Sequence, residues 1–181
     1  MKNTKLRLLV TEKCNRHCEG CCNKDIKPSQ TISVNDISGY DTIMITGGEP
    51  MLFPNKLLHF LPSILKKGYP SSTQVFIYTA KFPSPNTTEE EDDFYLIFSL
   101  LAGITFTIHD QEGIDDFINL NRFINDKILP FDTPYRRLNV FRDVKLPVIN
   151  LYGWDVKFVD WIKDCPIPEG EDFFRLENLW E

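Results

Sequence analysis

Apolar residues are arranged in short runs that alternate between two periods. KLRLLV (5–10), DTIMIT (41–46), QVFIYTA (74–80), GITFTIHD (103–110), RRLNVFRD (136–143) and WDVKFVDWI (154–162) have the length and the β-branched and aromatic content of strands. The segments between them have a helical period. NKLLHFLPSILKK spaces its leucines and Phe60 for a helix over 54–67, ended by Gly68, with Pro62 expected to divide it into two turns. Thr88 and Glu91 form a capping-box pattern ahead of EEEDDFYLIFSLLAG, whose acidic run suits a helix N-terminus. EGIDDFINLNRFIND (112–126) predicts a helix with Ile114, Phe117, Ile118 and Phe123 facing inward. Turn residues fill 25–40, and the proline-interrupted stretch 144–153 predicts a loop.

Strand and helix thus alternate, which implies right-handed crossovers and a parallel sheet, an α/β fold. Six strands in 181 residues require trimmed connections, so the sheet is expected to be curved or half-closed, with some bare loops. The segment after Cys165 opens on a proline-rich turn. Its Phe173, Phe174, Leu176, Leu179 and Trp180 suggest an amphipathic tail (164–181) that covers the sheet.

Composition narrows the function. With 42% hydrophobic and 13% aromatic residues the chain can bury a real core, and its length fits one domain over 1–181. A net charge of −6 argues against general nucleic-acid binding, which needs a basic surface. No apolar run approaches the about 20 residues needed to span a bilayer, and MKNTKLRLLV lacks the features of a signal peptide. A cytoplasmic protein is expected. Clustered thiols stay reduced in that compartment and point to metal or catalysis.

Four of the five cysteines fall in TEKCNRHCEGCCNK (11–24). Cys14, Cys18 and Cys21 form C-x3-C-x2-C, a short loop able to aim three thiolates at one inorganic cluster. Three thiolates leave one iron open to a ligand. A closed zinc site is the competing reading, with His17 or Cys22 as fourth ligand. A plain electron carrier is another, if Cys165, in a Cys-Pro dipeptide, supplies the fourth thiolate. The blander reading makes Cys22 and Cys165 small, buried thiols.

MITGGEPM (44–51) falls where the second strand should end. Gly47 and Gly48 let backbone approach a ligand, Glu49 offers a carboxylate to an ammonium group, and Pro50 suits the first turn of a following helix.

CNRHCEGC after the first strand and TGGEP after the second together resemble the radical S-adenosylmethionine enzyme family. The motifs cover the first third of the chain. The resemblance implies a partial (βα)6 TIM-like barrel with shortened crossovers. It implies a [4Fe–4S] cluster on Cys14, Cys18 and Cys21, and S-adenosylmethionine chelated to the open iron with its ammonium at Gly47, Gly48 and Glu49. It also implies a 5′-deoxyadenosyl radical and an external one-electron reductant of flavodoxin or ferredoxin type. The sequence departs from the family pattern at Gly20, where an aromatic residue is common, and at Thr79-Ala80-Lys81, where only the Thr79 hydroxyl is kept.

Three further positions, His109, Asn139 and Arg142, are candidates for the cofactor. Thr105, Thr107 and His109 share one face of the fourth strand, so His109 is placed to touch a ribose or a substrate, or is satisfied at a strand end. Asn139 and Arg142 lie on opposite faces of the fifth strand. Arg142 either meets the methionine carboxylate or forms a surface ion pair with Asp143 or a helix acid. Asp155 and Lys157 are weaker candidates of the same kind.

Three functions fit. The first is a radical enzyme acting on a small molecule or a peptide. The second is an activase making a glycyl radical on a partner protein, suggested by CEGCCNK. The third is a zinc or electron-transfer module, which leaves GGEP unexplained.

Overall fold

A computed structural model of the chain describes residues 4–18, 21, 27–37, 39–66, 73–128, 134–161 and 166–181. Eight parallel strands form one sheet: β1 (Lys5–Leu9), β2 (Gln30–Ile32), β3 (Thr42–Thr46), β4 (Gln74–Thr79), β5 (Gly103–Ile108), β6 (Tyr135–Phe141), β7 (Trp154–Val159) and β8 (Glu171–Leu176). Their order is β2-β8-β1-β3-β4-β5-β6-β7. Among the described residues no pairing joins β2 to β7, so the sheet is open at both edges. The helices are α1 (Pro54–Lys66), α2 (Thr88–Leu100) and α3 (Gly113–Lys127).

Register divides the strand residues between two faces. Leu6 pairs with Ile43, Ile43 with Val75 and Phe106 with Leu138. These side chains are buried in one hydrophobic cluster with Leu57, Leu61 and Ile64 of α1, Ile97 and Phe98 of α2, and Phe117 and Leu120 of α3. Each crossover helix thus covers the same face. The alternate residues are mixed in character. Arg7 pairs with Met44 on one side and Phe173 on the other, Tyr78 with Thr105, and Thr107 with Asn139. This face carries polar and aromatic side chains, and none of the three helices among the described residues packs on it.

The six expected strands are all present, each shortened by one to three residues at one end, with β6 starting one residue earlier than expected, and 144–153 forms no helix. Four expectations need correction. Pro62 does not divide α1, which runs through it unbroken; burying Leu57, Phe60, Leu61 and Ile64 outweighs one lost hydrogen bond. The helix over 88–100 is capped one residue earlier than expected: the Thr87 hydroxyl accepts from the Glu90 N–H, and Glu90 accepts from the Asn86 N–H. The 164–181 tail does not lie over the sheet, because its residues 171–176 are β8, hydrogen-bonded between β1 and β2. β2 itself, three residues long, was not expected. Gly68 lies outside the described residues.

Candidate functional site

The two motif loops leave the C-terminal ends of β1 and β3, which are adjacent and in register from Lys5↔Thr42 to Leu9↔Thr46. Val10 continues the ladder by donating to Thr46 O at 2.9 Å. Beyond it the backbones stay joined. Gly48 N–H donates to Thr11 O at 2.6 Å and Glu49 N–H to Lys13 O at 2.8 Å. A Cβ on Gly48 would lie 2.0 Å from Lys13 O, and one on Gly47, whose φ is +150°, would lie 2.4 Å from Thr11 O. The space the glycines free is therefore filled by the cysteine loop. The glycines thus admit the neighbouring backbone, and both also line the cleft described below.

Glu49 is 2% exposed. Its Oε1 accepts from Met51 N–H (2.9 Å) and the Thr79 hydroxyl (2.6 Å), and its Oε2 from Ala80 N–H (2.8 Å). Burial pushes its pKa up to about 7, against these three bonds and the nearby Arg16 charge, which favour the ionised form. Thr79, expected to meet the cofactor, holds this carboxylate while accepting from Lys81 N–H. A carboxylate has about four acceptor positions, so one remains. Pro50, also buried, starts the 3-10 turn Pro50–Leu52 that Glu49 caps.

Gly47, Gly48, Glu49, Thr79 and Ala80 line a cleft of about 350 Å³ at the strand ends; Pro50, expected beside the cofactor, is not among its lining residues. Cys14, Cys18 and Cys21 form one wall with Gly47, Gly48 and Glu49. Burial raises the pKa of the Cys14 and Cys18 thiols, and their mutual repulsion with Cys21 acts in the same direction. Arg16, whose side chain is 7% exposed, opposes this with a permanent positive charge. Among the described residues no group of three or more His, Cys, Asp or Glu stands close enough together to hold a metal ion as it is. The donor set nevertheless suits a cluster. Three thiols share one cleft, and a cluster assigns each to its own iron, a wider spacing than one tetrahedral ion accepts.

The opposite wall is aromatic. His109 stacks on Phe141 and Trp161, with ring centroids 5.1 and 5.5 Å away. Its Nδ1 is buried and has no hydrogen-bond partner among the described residues, and burial and the Arg16 charge lower its pKa to about 4. Thr107 and Asn139 lie below it, with Arg7, Tyr78 and Phe173 on the side of β1, β4 and β8.

Compared with known proteins, the chain matches no family model and no curated protein sequence.

The cleft gathers Cys14, Cys18, Cys21, Gly47, Gly48, Glu49, Thr79, His109 and Asn139 from the sequence-derived set. Arg142 does not belong to it. Its guanidinium points to solvent and pairs with Asp160 at 2.8 Å, both side chains more than half exposed. The ion-pair reading of Arg142 holds, with a different acid, because β7 lies alongside β6. Asp155 and Lys157 likewise engage each other and Arg137, not the cleft. Cys22 and Cys165 lie outside the described residues, as does Gly20. Sequence reasoning missed Arg7, Arg16, Tyr78, Phe141 and Trp161. Arg7 was detectable as the one charge inside an apolar strand, and Arg16 as a cation between two cysteines.

Proposed function

We infer that the chain is a radical S-adenosylmethionine enzyme acting on a small-molecule or peptide substrate. The observation that carries this reading is the backbone union of the cysteine loop with the GGEP turn, which puts three thiols and a buried carboxylate on one wall of a single cleft. Neither zinc binding nor simple electron transfer requires that union. The open parallel sheet then reads as a partial TIM-like barrel, with chemistry at the C-terminal strand ends.

Cys14, Cys18 and Cys21 would hold a [4Fe–4S] cluster. When bound and reduced, the cluster supplies the electron that splits S-adenosylmethionine into methionine and a 5′-deoxyadenosyl radical, which takes a hydrogen atom from the substrate. The protein's part is positioning and exclusion of water. Glu49, fixed by Met51, Thr79 and Ala80, offers its remaining acceptor position to the methionine ammonium. His109, Phe141 and Trp161 provide an aromatic wall. An external one-electron donor of flavodoxin or ferredoxin type would reduce the centre, in a cytosol that keeps the thiols reduced.

The test is anaerobic reconstitution with iron and sulfide, then addition of a strong reductant and S-adenosylmethionine. About four irons and four sulfides per chain, with release of 5′-deoxyadenosine, are expected. A protein that takes up only zinc, or whose bound cluster yields no 5′-deoxyadenosine, overturns the reading.

A further inference from the structure

Arg16 is a buried cation in the middle of the cysteine loop, and cofactor binding alone gives it no task. An arginine is always charged, and a charge removed from water must be paired. Arg16 Nη1 donates to Asp110 Oδ1 (2.9 Å), and Nη2 to Ala80 O (3.0 Å) and Asp116 Oδ2 (3.4 Å). Asp116 also pairs with Lys81 at 2.9 Å. The loop after β1 is thereby tied to the end of β4, the end of β5 and the first turn of α3. Gly113 leaves room for this: a Cβ there would lie 3.3 Å from Arg16 Nη2. The backbone N–H of Arg16 donates to Cys14 Sγ at 3.4 Å, so the same residue reaches a thiol through its main chain and carries its charge beside the cleft.

We propose that Arg16 is a positioning residue that raises the reduction potential of the centre held by Cys14, Cys18 and Cys21, with Asp116 as the opposing charge. The inference rests on the functional reading above. Reduction adds one negative charge to a centre already made negative by three thiolates. Cluster potentials follow local net charge and hydrogen bonds to sulfur. A fixed cation and an N–H···S bond both favour the reduced state. Asp116, 14% exposed and held by Arg16 and Lys81, disfavours it. Arg16, with Asp110, Asp116 and Lys81, also forms a mechanical clamp, and charge and clamp predict different results. Removing Arg16 or Asp116 breaks the clamp in either case. Only a charge effect moves the potential in opposite directions.

The test compares wild type, Arg16→Gln and Asp116→Asn after anaerobic reconstitution. Iron and sulfide are counted, and the reduced fraction is followed spectroscopically against an applied potential. In Arg16→Gln the reduced-to-oxidised ratio should fall on the order of tenfold at a given potential, equivalent to about 59 mV for one electron. In Asp116→Asn it should rise. Shifts of the same sign, or none, overturn the proposal. Should Arg16→Gln fail to bind iron, Asp116→Asn decides alone: a positive shift supports the proposal, and a negative or absent one overturns it. A wild-type protein that takes up no cluster, or whose cluster cleaves no S-adenosylmethionine, sinks the functional reading itself. A working wild type with unshifted variants sinks only the role of Arg16.

Discussion

Gly48 has no space for a methyl group, since the obstacles around it are the backbone atoms of Glu12 and Lys13. Gly48→Ala should therefore force the two motif loops apart and cost about 3 kcal/mol, at the upper end for an overpacked site. Urea unfolding of the metal-free protein checks this; an unchanged midpoint would show that the loops are not joined as described. His109 gives a pH dependence with a definite sign. Its folded pKa is depressed to about 4 from 6.5 by burial, then by Arg16, with Asp110 opposing. Between those values the unfolded chain binds a proton that the folded one does not. The resulting stability, at most about 3 kcal/mol, is complete above pH 6.5 and is lost as pH falls toward 4. His109→Phe preserves the stack on Phe141 and removes the titration, so its unfolding free energy should fall less between pH 7 and pH 4.5 than that of wild type. Parallel pH profiles would refute the assignment. The sequence made Glu49 visible as a carboxylate beside two glycines. It hid that Thr79, thirty residues on, holds that carboxylate, because a side-chain bond between two loops leaves no local pattern.

The strands with a period were legible as elements, and those without one were not. EDFFRL in β8 places Phe173 in the cleft and Phe174 in the core against Tyr40, whose ring centroid is 6.4 Å away. Both phenylalanines are buried, so the alternation that marks a half-exposed strand is missing, as is usual for strands covered on both faces. QTI in β2 is too short to show any period. The end of the tail has its own task. Trp180 packs edge-to-face on Phe60, its N–H donates to Val10 O (2.8 Å), and its carbonyl accepts from the Thr11 hydroxyl (2.9 Å). It backs the cysteine loop from the core side. Trp180→Ala should cost about 3–5 kcal/mol in urea unfolding, the usual range for a buried large aromatic residue. A loss below about 1 kcal/mol would mean the tail is not packed there.

For the molecule as a whole, helices cover one face of the sheet and the cleft opens on the other. No helix among the described residues is long and apolar enough to cross a membrane. The α/β class and the parallel sheet followed from the alternation of periods. Two of the eight strands did not, and the sheet was expected to be curved or half-closed without its edge strands being identified, because edge pairing is something no strand encodes by itself. If the cleft receives S-adenosylmethionine, the reconstituted protein should gain about 2.7 kcal/mol of stability at one hundred times its Kd. Anaerobic thermal melts with increasing S-adenosylmethionine would show a rising midpoint. A flat midpoint over that range would place the ligand elsewhere.

The order of synthesis meets the order of the sheet at β8. β2 reaches the sheet only through β8, and β1 gains its second neighbour only there, so Lys5 must wait for Glu171. While a ribosome is still short of residue 176, the segment bearing the cysteines has one anchored end and one loose end. Pairings across so much sequence form late and slowly. If the chain holds the proposed cluster, iron delivered to the nascent chain would meet thiols not yet gathered, and a pulse of labelled iron should then enter chains carrying β8 and bypass those still short of it.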